Sequence, residues 1–421
     1  EIIPSGYIVT NTDDNGPGSL RQYILEANLN PGLDTIKFDI PGPGPHTIQL
    51  FSALPTITDA IVIDGTTEPD FSGSPVIELD GSNAGEANGL RIISGNSTVK
   101  GLVINRFAHA GINLWLNGGN IIQNNIIGLD ITGTIDLGNN GNGIDIHSSS
   151  NNLIGSEGAS PSNVISGNES QGVDFYGAAS EGNLVIGNYI GLDLTGSIDV
   201  GNTGNGIHLY SAPGNTISGN VISGNNATGI VLFDQSSNNI IQGNFIGLDA
   251  SGNIDLGNTW AGIDINDEST FTTIGGTNAD QGNLISGNGE NGINLGTNHN
   301  TVQGNIIGLN ILGTEAIGNG DGSGISIGGC FNVIGGLDPG DRNIISGNSG
   351  PGIEFCCEIV ANNEVLGNYI GTDVTGAIAL GNGAGINILS AVNIIGGDEP
   401  GAGNLISGNE GNGIDIGASG W

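Results

Sequence analysis

A short phrase, glycine then an apolar residue, any residue and a second apolar residue, returns twelve times between residues 89 and 416. It reads GLRI at 89, GINL at 111, GIDI at 143, GVDF at 172, GIHL at 206, GIVL at 229, GIDI at 262, GINL at 292, GISI at 324, GIEF at 352, GINI at 385 and GIDI at 413. Most copies are 28 to 34 residues apart, with two shorter steps of 22 and 23. A period of that size calls for a solenoid before any other fold. Helical repeats are excluded, because Gly and Asn interrupt every few residues and no window sustains apolar spacing of three and four. Apolar residues alternating over short runs bounded by Gly and Asn are strand chemistry. Two or three such strands per period, separated by turns, wind into an all-β solenoid, a parallel β-helix of about twelve coils.

Between the copies lie segments such as NVISGN and NLISGN, and a longer variant, IGLDITG, IGLDLTG, IGLDASG, IGLNILG and IGTDVTG, that begins one residue before Gly128, Gly191, Gly247, Gly308 and Gly371. Alternate Ile, Leu and Val point into the tube, and the Asn of each GN pair suits a ladder that satisfies buried turn backbone. Residues 1–88 read as a cap with irregular first coils, and 89–421 as the repeats. Within the cap, GSLRQYILEAN at 18–28 predicts a short helix: Ser19 and Gln22 have capping-box spacing, and Leu20, Tyr23, Ile24 and Ala27 share a face. Strands are expected at TIKFDI, HTIQL, AIVIDG and VIELDG. The chain stops on a fresh repeat strand, GNGIDIGASGW. This suggests either that a further domain has been removed or that the edge meets another molecule, with Trp421 exposed there and filaments the outcome of head-to-tail contact.

Charge limits the partners. The formal net charge is −36, and only Arg21, Lys37, Arg91, Lys100, Arg106 and Arg342 are basic. Nucleic acid and anionic membrane surfaces need Lys and Arg to replace counterions, so neither is an expected partner. A polyuronate meets the same objection unless cations bridge it. No apolar run approaches the ~20 residues of a membrane span. The absence of Met suggests that Glu1 is a processed N-terminus. Cys330 and Cys357 fall at similar offsets on adjacent coils, which permits a disulfide, with free thiols as the alternative.

The GSLRQYILEAN cap followed by NVISGN, GVDF and IGLDxTG coils resembles the secreted bacterial right-handed parallel β-helix repeat proteins, over essentially the whole chain. The resemblance implies a right-handed, pectate-lyase-like solenoid and an extracellular or cell-surface location. That architecture serves enzymes and adhesins alike, so it says little of function.

Function must then be sought on the outward positions. The first outward column runs Arg91, Asn113, Asp145, Asp174, His208, Val231, Asp264 and onward. The second holds Trp115, His147, Tyr176, Tyr210 and Phe233. Rings beside carboxylates suit sugars, so Asp145, Asp174 and His208 are the candidate catalytic residues, and Trp115, His147, Tyr176, Tyr210 and Phe233 the candidate sugar platforms. Adjacent coils put the carboxyls of Asp145 and Asp174 roughly 5 Å apart, near the ~5–5.5 Å of retaining glycosidases. Such proximity raises one pKa, and His208 is placed to share the proton. A polar, stacked solvent face is the competing reading of the same columns. Asp145-x-His147 with Asp174 also resembles the Asp-x-His plus Asp arrangement of β-helical alginate epimerases, although Asn142 stands where those enzymes place Tyr, so that Tyr176 or Tyr210 would have to substitute, and no Lys or Arg is expected nearby to neutralise a uronate. The aspartates of the IGLDxTG loops, Asp130, Asp193, Asp249 and Asp373, raise the question of Ca²⁺, against an Asx turn before Gly; no other cofactor is expected. The functional expectation is a structural or adhesive surface protein that associates end to end. The alternatives are a polysaccharide-active enzyme, by hydrolysis before lyase or epimerase chemistry, and a non-catalytic glycan-binding module.

Overall fold

The computed structural model describes residues 6–158, 161–357, 359–390 and 392–417. Trp421 and the first half of the EIIPSGYIVT segment, residues 1–5, lie outside them, as does any end-to-end contact expected there. The described chain is a right-handed parallel β-helix with one α-helix. It divides into two compact units, residues 1–204 and 205–421, a boundary that falls within the repeats.

In the first unit the predicted cap helix spans Leu20–Ala27, and Ser19 caps it by accepting the Gln22 N–H. Only half of the capping box forms, because the Gln22 side chain turns forward to Glu26 at 2.7 Å. Leu20, Ile24 and Ala27 are buried, and Tyr23 stacks on Tyr7 with ring centroids 5.2 Å apart. All four strands expected in the cap are present, at Asp34–Phe38, His46–Gln49, Ile61–Asp64 and Ile77–Asp80. They pair in parallel with the coils that follow. The strand faces that matter for function are Leu90–Ile92, Ile112–Trp115, Ile144–His147 and Val173–Tyr176, paired in that order. Their inward residues stack rung on rung: Ile144 sits between Ile112 and Val173, and Ile146 between Leu114 and Phe175, all without solvent exposure.

The second unit repeats the plan. Ile207–Tyr210, Ile230–Phe233, Ile263–Ile265, Ile293–Leu295, Ile325–Ile327, Pro351–Phe355, Ala384–Ile388 and Ile414–Ile416 form one parallel run. Its cysteines are free, so the Cys330–Cys357 disulfide does not form. The Cys330 thiol is instead engaged locally, donating to the Ile359 carbonyl at 3.5 Å and accepting the Ala361 N–H at 3.4 Å. The sulfurs of Cys356 and Cys357 lie 3.6 Å apart.

The expected asparagine ladders run through both units. The amide oxygens of Asn168, Asn202 and Asn319 each accept the backbone N–H and side-chain N–H of the Asn one coil before, and that of Asn288 accepts the Asn258 side-chain N–H. The ladder thereby gives the buried turn backbone side-chain partners. Gly128 shows how closely coils approach: its φ is +99°, and a Cβ there would collide with the Ser166 carbonyl and the Asn168 amide.

The IGLDxTG segments fold outward as tight loops. Asp130 accepts the N–H groups of Thr134 and Ile135 and the Thr132 hydroxyl. Burial opposes its ionisation, yet the donors of Ile135, Thr132 and Thr134 outweigh burial and hold the carboxyl below its usual range. Asp193, Asp249 and Asp373 repeat the arrangement, and Asn310 does so with its amide oxygen. Each of these loops is closed by the N–H groups four and five residues after its Asp or Asn.

At the turn before a ladder Asn, several coils place Gly or Asn at positive φ, as at Gly182, Asn238 and Asn362. Phe271, His299, Phe331 and Val392 adopt the same conformation despite their bulk, with φ of 57°, 61°, 59° and 64°. Val392 is β-branched and 74% exposed, so it carries the conformational cost with little packing in return. Val392→Asn is expected to raise the unfolding free energy by about 1 kcal/mol; a urea midpoint at or below the parent's would contradict this.

Candidate functional site

Parallel register sets Arg91, Asn113, Asp145 and Asp174 on successive rungs of one outward column in the first unit. Alternation along each strand makes this automatic: the residues on either side of each position are inward Ile, Leu, Val or Phe. The Asn113 amide donates to the Asp145 carboxylate at 2.6 Å, and the Asn142 amide donates to Asp174 at 3.1 Å. Asp145 is half-buried. Burial above all, then the charge of Asp174, pushes its carboxyl up to about 6, against the opposing effects of Asn113 and His147. Asp145 therefore exists partly as a neutral acid near neutral pH.

The second column is a stack. Trp115 and His147 lie 4.3 Å apart at 8°, and His147 and Tyr176 4.8 Å apart at 27°. The guanidinium of Arg91 lies 5.0 Å from the Trp115 ring centroid. Neighbouring rings and Arg91 thus engage the faces of Trp115 and His147, a column of π-stacking and cation–π contacts.

A cleft of about 300 Å³ opens beside this stack, lined by Arg91, His109, Asn113, Trp115, Asn142 and Asp145 among others. It corrects the expectation that no basic residue stands near Asp145. Arg21, Lys100 and Arg106 are committed to Asp14 at 2.6 Å, Asp64 at 2.9 Å, and Glu78 and Asp80 at 3.0 and 3.2 Å. Arg91 is exposed, and among the described residues it enters no ion pair. It heads the same outward column as Asp145 but stands 54 positions earlier in the sequence, so register was the signal for it and local sequence was not.

The remaining candidates belong to the second unit. His208 pairs in register with Val231, and Tyr210 with Phe233. The His208 ring lies 6.3 Å from Tyr210 and 6.2 Å from Phe233, tilted to both. Phe271, His299 and Phe331 form a further stack that the outward columns did not include, at 5.0 and 5.1 Å. Among the described residues no three His, Cys, Asp or Glu side chains are grouped to hold a metal ion.

The chain is similar to several solved structures. The mannuronan C-5 epimerase AlgE4 A-module of Azotobacter vinelandii is 14% identical with a TM-score of 0.41, over 98% of both chains. The PL6 family polysaccharide lyase of Pseudopedobacter saltans is 14% identical with a TM-score of 0.45, over 97% of this chain and 92% of that one. PfbA, a surface adhesin of Streptococcus pneumoniae, is 14% identical with a TM-score of 0.43, over 92% and 89%. No curated protein sequence matches the chain. The model of the NosD family, described as periplasmic copper-binding protein, matches residues 58–284, a little over half of the sequence, and the chain belongs to that family.

Proposed function

We propose that this protein is a carbohydrate-active β-helix that works outside the cytoplasm, as the periplasmic description of its family suggests. Its cleft at Arg91, Trp115 and Asp145 receives a saccharide, and Asp145 with Asp174 hydrolyses the glycosidic bond. The observation that carries this reading is the in-register pair Asp145 and Asp174, with Asp145 lining the cleft and held up to about 6. A carboxyl of that kind protonates the leaving oxygen at neutral pH as the C–O bond breaks, the neighbouring carboxylate attacks the anomeric carbon, and water, deprotonated by Asp145, then displaces that carboxylate and frees the sugar. Strand spacing of about 4.8 Å favours the closer, retaining arrangement over the ~6.5–9.5 Å of inverting enzymes. With its faces engaged, the ring stack meets a glycan by its edges. Arg91 supplies the donor fork for ring hydroxyls or for an isolated acid group. A long polyanion is disfavoured by a net charge of −36.

The copper in the family's description has no three-ligand donor set among the described residues. The chain has no Met, and its described His, Cys, Asp and Glu residues form no group of three. No step of the reaction is therefore assigned to a metal.

Reducing-end release from a panel of neutral and sparsely charged polysaccharides tests the reading. The parent is expected to release sugar from at least one of them, and Asp174→Asn to lose at least about 100-fold. Equal rates for parent and Asp174→Asn, or no release from the whole panel, would remove the hydrolase reading.

A further inference from the structure

The position three residues before the first inward Ile, Leu or Val of each outward-column strand is held mostly by Gly, Ser or Ala, as at Gly141, Ser170, Ala227, Gly322, Gly350 and Gly383. His109, which lines the first unit's cleft, breaks that pattern, and so do Trp260 and Glu290 in the second unit. Trp260 and Glu290 are on successive rungs: Trp260 N–H donates to the Ala227 carbonyl at 3.1 Å, and Glu290 N–H to the Trp260 carbonyl at 3.2 Å. On the adjoining strands Asp264 and Asn294 are in register, and the Asn294 amide donates to Asp264 at 2.8 Å. The same amide-to-carboxylate pair joins Asn113 to Asp145 in the first unit, with the order of the coils reversed.

Trp260 differs from Trp115 in one respect that matters for a ligand. Its rung neighbours are Ala227 and Glu290, neither aromatic, and among the described residues no ring stacks on it. It is 52% exposed. A half-exposed indole on which no ring stacks, set ahead of a strand that bears carboxylate and amide oxygens, suits a pyranose, the sugar's C–H face on the indole and its hydroxyls on those oxygens. The charge selects the sugar. Asp267 and Glu290 lie close enough to Asp264 for their charges to oppose its ionisation, and Arg342, the second unit's one basic residue, has its guanidinium 4.0 Å over Tyr369.

We infer that Trp260, with Asp264, Glu290 and Asn294, forms a second saccharide-binding position, selective for neutral glycans and independent of turnover in the first unit. Isothermal titration of the whole protein with xylohexaose, cellohexaose, mannohexaose and maltohexaose tests it. At least one of these is expected to bind, with affinity at least tenfold weaker in Trp260→Ala, several-fold weaker in Asp264→Asn and largely kept in Trp260→Tyr, which retains a platform. Binding here is expected to persist in Asp145→Asn, so failure of the hydrolase reading and failure of this one give different results. Absence of binding to all four hexaoses, or binding unchanged by Trp260→Ala, overturns the inference.

Discussion

Asn168→Ala is expected to lower the unfolding free energy by about 3–5 kcal/mol, while Asn140→Ala, on an exposed residue of the same unit, changes it by less than about 0.5 kcal/mol. Asn168 is fully buried. Its amide oxygen accepts the Asn139 backbone and side-chain N–H groups at 3.3 and 2.9 Å. Its side-chain N–H₂ donates to Asn202 at 2.9 Å and to the carbonyls of Ile127 and Ser166 at 3.2 and 3.3 Å. Truncation removes the acceptor for two donors that have no water to replace it, at about 1–3 kcal/mol for each unsatisfied group. The loss spreads, because Asn139 is itself a member of the ladder. Urea unfolding of both variants measures the difference; a cost below about 1 kcal/mol for Asn168→Ala would show that the ladder is not what holds the turns.

Asp145→Asn is expected to lose at least about 100-fold in sugar release and at the same time to become more stable at alkaline pH. The sign follows from the raised pKa. A carboxyl at about 6 in the fold, against an ordinary value of 3.8, takes up a proton on folding. Its contribution is most favourable below pH 3.8, declines as pH rises to 6, and is constant beyond. The ionised form then costs the folded state on the order of 2 kcal/mol, the figure being reduced because the side chain is only half-buried. The amide avoids that cost, so the gain of Asp145→Asn over the parent should be near zero at pH 3.5 and full at pH 8. A gain that does not vary between those limits would mean that Asp145 ionises normally and is a poor proton donor at neutral pH.

Much of this could be read in advance. Alternation named the inward Ile and Leu, the Ser19 cap located the helix, and the GN pairs anticipated the asparagine ladders. The carboxylate pair followed from counting outward positions. Three features escaped. Arg91 was counted in its column, but its approach to Trp115 joins residues 24 positions apart and depends on side-chain conformation. The disulfide was judged from similar offsets, whereas the Cys330 sulfur is directed to Ile359 and Ala361. Trp260 lies before its strand, outside the columns that alternation defines, and its interest comes from what flanks it on neighbouring coils.

Period and alternation are properties of the chain itself, and in a solenoid they suffice to specify parallel strands, an aliphatic interior and an outward acidic column. They act through the backbone, whose two-residue pleat and coil spacing hold whatever the outward side chains are. Whether a ring face is covered, whether an aspartate is desolvated and whether an arginine reaches a cleft depend on the rotamers and sizes of residues one coil away, some 22 to 34 positions distant in sequence. Only the tertiary structure decided those, and they separate the closed stack at Trp115 from the open face at Trp260.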